Sequence, residues 1–309
     1  MKYQENNYQP DPLMKDFWRN SERFQDVCNG LLFHGEKVID DVHEMDSEQA
    51  TTIQQTAIQR RRDLIKLAHI HDEQVIIGIE NQQTKDSHIV YRDMEYTTYK
   101  YSILNKDPIH KRCPIITLIL YYGSKRWKPK KELKQMMNVS SLINDYFNNW
   151  KSLIFDVKDI DTSVFSHKEV KDFFEGVQSL YGWDKDLSSL KDIELTYECA
   201  LAIGVVTGTQ ALIDKAEKEK GGMINMCQAV SEAIAESKQQ GILLGRNEGI
   251  ELGKSEGKRE GRREGKISER VQCVIKMMNK LKMTSQEAMN ILDIPQDEQH
   301  VINDLLKNI

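Results

Sequence analysis

Apolar and polar residues alternate at helical intervals in the first part of the chain, over residues 13–32. This spacing brings the apolar side chains onto one face and predicts an amphipathic helix. Asp11 and Pro12 come directly before it. They predict the start of the helix, with Asp11 as the N-cap residue and Pro12 at the first helical position.

Further along the chain, short apolar runs replace the helical pattern. Residues 63–70 and 74–80 are rich in β-branched side chains and are separated by a short polar segment. They predict two strands joined as a hairpin. A helical pattern follows over residues 87–104, and a continuous apolar run over residues 114–122 is typical of a strand buried on both faces.

The rest of the chain falls into three further parts. Residues 131–235 are mostly helical in pattern, and glycine then recurs at every fourth position from Gly241 to Gly265. The predicted units are a core of helices and strands at residues 1–135, a helical extension at 136–235, a charged Gly-x-x-x-Gly repeat at 236–270 and a small helical C-terminal unit at 271–309.

The repeat holds seven of the 17 glycines of the chain, and charged residues fill most of its gaps. Each glycine costs up to ~1 kcal/mol of helix propensity relative to alanine, so an isolated helix here needs a compensating contact. One interpretation is a flexible charged linker. The other is a helix whose bare stripe allows a second helix, such as that of an identical chain, to approach closely. The charged gaps exclude a membrane-spanning GxxxG helix.

The C-terminal unit begins its apolar pattern behind a capping-box sequence, Thr284 with Glu287. Two short predicted helices around a turn are typical of a helix-turn-helix. Residues 271–309 nevertheless contain four basic and five acidic residues, whereas a DNA-reading helix is expected to be more basic. We therefore favour an oligomerisation or inhibitory tail and expect a homo-oligomer formed through the C-terminal region.

Composition indicates an ordinary folded protein, with 29% charged and 39% hydrophobic residues in 309. The net charge of -5 argues weakly against DNA binding without excluding a local basic face. No apolar segment near the N-terminus resembles a signal peptide, and the apolar runs are too short to cross a bilayer. We therefore expect a cytoplasmic protein without membrane contact.

Cysteine and histidine give little indication of metal binding in the sequence. The five cysteines are far apart and form no CxxC pair, which disfavours a disulfide framework or a cysteine-based zinc site. His69 and His71 lie two positions apart at the end of the first predicted strand. We interpret them as an exposed strand face and turn rather than as a pair of metal ligands.

Candidate chemistry lies at one end of the predicted hairpin. Asp63 opens its first strand and Glu80 closes its second, so the two carboxylates can converge. Nearby carboxylates repel one another unless a cation lies between them, and Mg²⁺ takes hard oxygen ligands while keeping several waters. Gln82 lies on the same side of the strand as Glu80, where it can orient a water nucleophile. We predict that Asp63 and Glu80 bind Mg²⁺, with Mn²⁺ as a substitute, and that both act with Gln82 in catalysis. The alternative is that these carboxylates are ordinary solvated charges at the ends of the strands.

Two basic segments are candidates for phosphate contacts, because lysine and arginine neutralise phosphates and release counterions. The candidate DNA-binding residues are Arg60, Arg61, Arg62, Lys66, Lys125, Arg126 and Lys128. A solvated loop is the alternative for the second segment, and Arg62 can instead form an ion pair with Asp63.

Several motifs occur in a defined order over residues 11–130. They are Asp11-Pro-Leu-Met-Lys15-Asp-Phe17, Arg62-Asp63, Ile79-Glu80-Asn81-Gln82-Gln83, Asp86, Arg92-Asp-Met-Glu-Tyr96, and the segment from Pro114 through Gly123 to Trp127-Lys-Pro129. Their order resembles that of the recombination-promoting nuclease (Rpn)/putative transposase family, within the PD-(D/E)XK nuclease superfamily. A C-terminal Gly-x-x-x-Gly repeat is also common in that family.

The resemblance implies an α/β fold, with a restriction-endonuclease-like (PD-(D/E)XK) mixed-sheet core flanked by helices, then a helical extension and the repeat tail. It implies metal-dependent DNA cleavage in recombination, mobile-element or defence biology. Asp11, Lys15, Arg92 and Tyr96 become candidate accessory residues. The superfamily has lysine where this chain has Gln82; glutamine is usual in the family but can only hydrogen-bond, so we expect slow turnover.

The predicted function is a magnesium-dependent DNA endonuclease. The alternative is a catalytically silent DNA-binding or assembly protein of the same fold. A transposase of the DDE type is disfavoured, because it needs three acids on an RNase H-like fold and the sequence offers no third acid in a strand context.

Overall fold

The computed structural model describes residues 9–45, 64–106, 112–184 and 186–307. The chain divides into two compact units, Met1–Ile234 and Ala235–Ile309. Each unit has a hydrophobic core of its own.

The first unit is a mixed array of helices and strands. It opens with α1 (Pro10–Arg19), α2 (Ser21–Phe33), β1 (Ile39–Glu44), β2 (Leu64–Ile70) and β3 (Glu73–Gln82). It continues with α3 (Ile89–Leu104), β4 (Ile115–Tyr121), the short α4 (Leu133–Met136) and β5 (Leu153–Asp156). The remaining elements are α5 (Lys168–Gly182), β6 (Glu194–Leu195), α6 (Tyr197–Thr207), α7 (Gln210–Lys218) and β7 (Ile224–Asn225).

Strands β1 to β5 form one five-stranded sheet in the order of the chain. β1, β2 and β3 pair antiparallel, whereas β3, β4 and β5 pair parallel. The predicted hairpin is confirmed, with Leu64 opposite Ile79 and Ile70 opposite Glu73. The mixed sheet flanked by helices confirms the expected α/β class, while the assignment to the PD-(D/E)XK fold stays a prediction.

Helices cover both faces of this sheet. On one face, Ile77 and Ile79 of β3 lie in the same buried cluster as Trp18 of α1 and Phe24 of α2. On the other face, Ile119 of β4 packs with the start of α3. A strand covered on both faces has to be apolar throughout, which explains the continuous apolar run of β4.

The predicted first helix is in fact two helices. The break lies at Asn20, whose side-chain Oδ1 accepts from the backbone N–H groups of Glu22 (2.9 Å) and Arg23 (3.1 Å) and so caps α2. The prediction that Asp11 caps the first helix is also wrong. Gln9 is the N-cap residue, and Asp11 lies inside the first turn of α1.

The core sheet continues past residue 135, where the sequence analysis ended the core. β5 pairs with β4 from Leu118 opposite Leu153 to Tyr121 opposite Asp156. Beyond it, Phe173 and Phe174 of α5 are fully buried in the main cluster. Residues 136–235 are therefore rich in helix as expected, but they also supply the fifth strand.

The second unit is helical. Helix α8 (Met226–Leu281) runs for 56 residues and contains the whole glycine repeat, so the repeat is helical rather than a linker. α9 (Ser285–Ile291) begins with the predicted capping box at Thr284, and α10 (Gln296–Leu306) follows. Val274, Met289 and Ile302 are fully buried in the core of this unit. In the described ranges, helices long enough to cross a bilayer are not apolar enough to do so.

Candidate active site at the carboxyl end of β3

Glu80 and Gln82 lie at the carboxyl end of β3, in the middle of the sheet. Side chains two residues apart on a strand share a face, and here that face is the one covered by α3. In the parallel register with β4, Glu80 lies opposite Ile119 and Gln82 opposite Tyr121. The sequence analysis therefore placed these two side chains correctly next to one another.

Arg92 of α3 links the two side chains. Its Nη2 donates to Glu80 Oε1 and, at 2.7 Å, to Gln82 Oε1. Its Nη1 donates to Asp86 Oδ2 at 2.8 Å. Side-chain exposure is only 14% for Glu80 and 30% for Arg92, so this ion pair is partly shielded from water.

Neighbouring groups fix the orientation of this cluster. Gln82 Nε2 donates to the carbonyl oxygen of Thr84 at 2.5 Å, which turns the amide oxygen toward Arg92. Asp86 Oδ1 accepts from the backbone N–H of His88, just before α3, at 2.8 Å. Asp86 is thus a second acidic partner of Arg92, a role that the sequence analysis did not assign. Its sequence signal is its place in the motif order, between the strand and the following helix.

These residues fit a divalent cation. The Glu80 and Gln82 oxygens converge on one positively charged nitrogen, as they would on a metal ion. Mg²⁺ commonly binds through one or two carboxylates and keeps several waters, so a further carboxylate would complete a site of the expected kind. Within the described residues, however, Glu80 belongs to no group of three or more acidic, histidine or cysteine ligands.

The predicted partner carboxylate, Asp63, lies outside the described residues, as do Arg60, Arg61 and Arg62. The residue after Asp63 is described. It is Leu64, the first residue of β2, and it lies opposite Ile79, the neighbour of Glu80. The roles predicted for Asp63 and the three arginines stay predictions.

The prediction that Lys66 contacts DNA needs correction. Lys66 is 0% exposed, and its Nζ donates to the carbonyl oxygen of Arg19 at 2.5 Å and to Ser21 Oγ at 3.1 Å. It pairs with Ile77 on the sheet face opposite to Glu80. Burial lowers the pKa of Lys66, and the side chain holds the junction of α1 and α2 onto the sheet.

The second basic segment lies at the same edge of the sheet as Glu80 and Gln82. Lys125, Arg126 and Lys128 are exposed and follow the carboxyl end of β4. The backbone N–H of Tyr122 donates to the Gln82 carbonyl oxygen at 2.9 Å, which ties the start of this loop to β3. Arg126 forms an exposed ion pair with Asp159.

Three residues, Tyr121, Gly123 and Trp127, fix the shape of this loop. The Tyr121 hydroxyl donates to the Lys125 carbonyl oxygen at 2.8 Å, and the rings of Tyr121 and Trp127 lie 4.9 Å apart. A Cβ at Gly123 would lie 2.2 Å from the Tyr121 hydroxyl oxygen and 2.7 Å from the Gln83 carbonyl oxygen. Only glycine fits there, since the second of these neighbours is backbone.

A buried ion pair supports this loop from beneath, and the sequence analysis missed it. Lys158 Nζ lies 2.7 Å from Asp156 Oδ1, with side-chain exposures of 9% and 6%. Asp156 Oδ2 accepts from the backbone N–H of Trp127 at 3.0 Å. The Lys158 ammonium also lies 4.8 Å from the centre of the Tyr121 ring. Burial raises the pKa of Tyr121, and the Asp156 charge adds to the effect.

The other candidate accessory residues, Tyr96, Asp11 and Lys15, lie on two different helices. Tyr96 lies one helical turn after Arg92 on α3, and its ring centre is 4.6 Å from Lys100 Nζ. Asp11 is exposed and Lys15 half-buried on α1, a helix whose core residues pack on the opposite sheet face. The structure therefore keeps Arg92 in the Glu80 cluster but does not bring Asp11 or Lys15 into it.

Comparison with known proteins identifies the group to which this arrangement is related. A family model described as "Putative transposase, YhgA-like" matches residues 9–195, which is more than half of the 309 residues. The matched region includes the whole five-stranded sheet and the Glu80 cluster. No curated protein and no solved structure matches the chain.

Proposed function

Because the chain belongs to the family of YhgA-like putative transposases, the family predicted from its motifs, we propose that it is a metal-dependent DNA endonuclease. It hydrolyses phosphodiester bonds in recombination, mobile-element or defence biology. The observation that carries this proposal is the convergence of the Glu80 and Gln82 oxygens on one cationic group. Exposed basic residues follow the neighbouring strand at the same sheet edge.

The proposed metal ligands are Glu80 and Asp63, with Mg²⁺ as the ion and Mn²⁺ as a substitute. Asp63 comes directly before Leu64 in the sequence, and Leu64 pairs with the residue next to Glu80. The ion would supply Lewis-acid chemistry for a phosphoryl oxygen and for a water nucleophile. Gln82 would orient the attacking water by hydrogen bonds, and it brings no charge of its own.

Arg92 supplies the positive charge that Gln82 lacks. The superfamily pattern has lysine at the position of Gln82, and the Arg92 guanidinium lies within hydrogen-bonding distance of the Gln82 side chain. Arginine is suited to phosphate because its planar fork donates two parallel hydrogen bonds. Asp86 holds the other side of the guanidinium, so Arg92 is positioned beside the proposed reaction centre.

The proposed DNA partner is bound through the loop after β4 and the arginines before β2. Lys125 and Lys128 are exposed and have no hydrogen bond or ion pair from their side chains to other described residues, so they are available for phosphate contacts. Arg60, Arg61 and Arg62 stay candidate contacts from the sequence. Lys66 is removed from the set because it is buried.

Plasmid nicking with highly purified protein tests this function. Glu80→Ala and Asp63→Ala should each abolish Mg²⁺-dependent cleavage while circular dichroism shows an unchanged fold. Glu73→Ala is the matched control, because Glu73 is an exposed glutamate at the opposite end of the same strand. If both variants cut as fast as the wild type, the proposed site is not the nuclease centre.

The second candidate is a catalytically silent DNA-binding or assembly protein. The observation in its favour is that Arg92 already neutralises Glu80 and that no lysine stands at the position of Gln82. Salt-dependent DNA binding by the wild type, without any metal-dependent nicking, would favour this candidate over the first.

We also propose that the chain forms a homo-oligomer through its C-terminal region. Ile242, Leu244, Ile250 and Leu252 are exposed on α8. The glycines among them have open space where a side chain would begin, as a closely approaching second helix requires.

A further inference from the structure

A second cluster of metal-ligating side chains lies at the edge of the sheet, on β1 and β2. Asp41 Oδ2 lies 2.8 Å from His43 Nε2, and Asp41 Oδ1 lies 2.7 Å from His69 Nδ1. The donor atoms of the three residues all lie within 4.8 Å of one another. We propose that Asp41, His43 and His69 form a binding site for a borderline divalent transition ion of the Zn²⁺ type.

The strand register builds this cluster. Asp41 lies opposite His69, and His43 lies opposite Leu67. Asp41 and His43 are two residues apart on β1 and therefore share a face with His69 across the ladder. The register shifts between Ile39 and Asp41, so an irregularity at Asp40 sets which side chains of this edge strand point to that face.

The donor set selects the kind of ion. Imidazole nitrogens and a carboxylate suit Zn²⁺, Co²⁺ and Ni²⁺, whereas Mg²⁺ and Ca²⁺ prefer sites made of oxygen alone. Three protein ligands leave a fourth position for water or an outside ligand. The ion would take the place of the two hydrogen bonds through which Asp41 now joins the imidazoles.

The second nitrogen of His69 already has a polar neighbour of the right kind. Gln74 Nε2 lies 3.2 Å from His69 Nε2. A metal-ligating histidine usually donates its other ring N–H to a hydrogen-bond acceptor. Rotation of the Gln74 amide by half a turn presents its oxygen to His69 Nε2, which would fix the imidazole for binding through Nδ1.

This site is separate from the proposed nuclease centre. Gln74, beside His69, and Glu80 lie on the same strand, and six residues at about 3.3 Å each put them ~20 Å apart. Each site can therefore be removed by substitution without touching the ligands of the other, and the proposed zinc site does not depend on the proposed function.

Zinc titration of the tag-free full chain by calorimetry tests the proposal. We expect a single bound equivalent in the wild type, lost in His43→Ala, His69→Ala and Asp41→Asn. Gln74→Ala should weaken binding by ~10–100-fold. His300→Ala, which removes an exposed histidine from α10, should bind Zn²⁺ as the wild type does. Bound Co²⁺ should show the visible absorption of a tetrahedral site.

The ion should also stabilise the edge of the sheet, because it joins β1 to β2 only in the folded chain. At a hundredfold excess over its Kd it should raise the Tm by roughly 5–10 °C, and Mg²⁺ at the same concentration should not do so through these residues. Failure of the wild type to bind Zn²⁺ would overturn the proposal. Undiminished binding by the folded His43→Ala and His69→Ala variants would overturn it equally, since the ion would then lie elsewhere.

Discussion

Replacing Arg92 by methionine should make the chain bind Mg²⁺ more tightly. Methionine keeps much of the aliphatic stem and removes the charge. In the metal-free chain the guanidinium neutralises Glu80 and donates to the Gln82 oxygen at 2.7 Å. A cation that uses these two oxygens has to displace those contacts, so their free energy is subtracted from the free energy of Mg²⁺ binding.

The structure sets the size of this effect. Two unit charges about 4 Å apart interact by about 4 kcal/mol at an effective dielectric constant of 20, whereas exposed pairs contribute only about 0–1 kcal/mol. The Glu80–Arg92 pair lies between these limits, because the side chains are 14% and 30% exposed. We take its contribution as ~1–2 kcal/mol, which corresponds to a factor of about 5–30 in the Kd for Mg²⁺.

Calorimetric Mg²⁺ titration of the wild type and Arg92→Met measures the difference. The double variant Glu80→Ala/Arg92→Met should not bind at this site, and it shows that the tighter binding uses Glu80. Arg126→Met is the matched control, because Arg126 pairs with an exposed carboxylate away from Glu80. It should leave the Kd for Mg²⁺ unchanged.

The opposite results are equally informative. If Arg92→Met binds Mg²⁺ no more tightly than the wild type, the guanidinium does not compete for the Glu80 and Gln82 oxygens. The ion would then bind through other groups, and the convergence on Arg92 would be only structural. Cleavage should fall in Arg92→Met even though Mg²⁺ binds more tightly, because the charge that would contact the phosphate is lost.

Three further measurements follow from the structure. Lys125→Ala should reduce the slope of log Kobs against log salt for DNA binding by about 0.9, whereas Lys66→Met should leave it unchanged; an effect of the buried Lys66 comparable to that of Lys125 would refute this. By light scattering, the full chain should have a multiple of its monomer mass, whereas a version ending at residue 235 should have the mass of its own monomer; monomeric masses for both would exclude self-association through α8. Burial opposes ionisation of Glu169, but the hydrogen bonds from Arg23 and Thr196 and the charge of Arg23 together outweigh it and hold the pKa of Glu169 below the ordinary 4.5. The stabilisation is therefore present above about pH 4.5 and is lost as the pH falls through the folded-state pKa, so urea unfolding should show a smaller acid loss in Glu169→Gln than in the wild type.

Local patterns predicted the part of the fold that surrounds the candidate site. A turn between two β-branched runs specifies a hairpin from neighbouring residues alone, and an apolar run such as that of β4 specifies a buried strand. β5 was missed because its Leu153–Asp156 segment has only four residues and mixed burial. It is a strand only because it pairs with β4, which lies far away in the sequence.

The candidate site was predictable to the extent that strand alternation alone determines it. Alternation puts Glu80 and Gln82 on one face, and the same rule could have excluded Lys66. Lys66 lies opposite Ile77, an odd number of positions from Glu80, so its side chain points to the other face. The sequence could not reveal that Arg92 bonds to both Glu80 and Gln82, because this depends on how α3 packs against β3.

In the proposed nuclease, the positive charge beside the reaction centre would come from Arg92 on a helix, whereas the superfamily pattern has a lysine at the strand position of Gln82. The loop carrying Lys125 at the same sheet edge is shaped by the Tyr121–Trp127 contact and the buried Asp156–Lys158 pair. The guanidinium of Arg92 is also bonded to Asp86. It therefore keeps an ion-pair partner when it moves away from Glu80. Mg²⁺ at the proposed ligands would cancel negative charge of this acidic cluster, so we expect DNA affinity at this edge of the sheet to rise when the metal is bound.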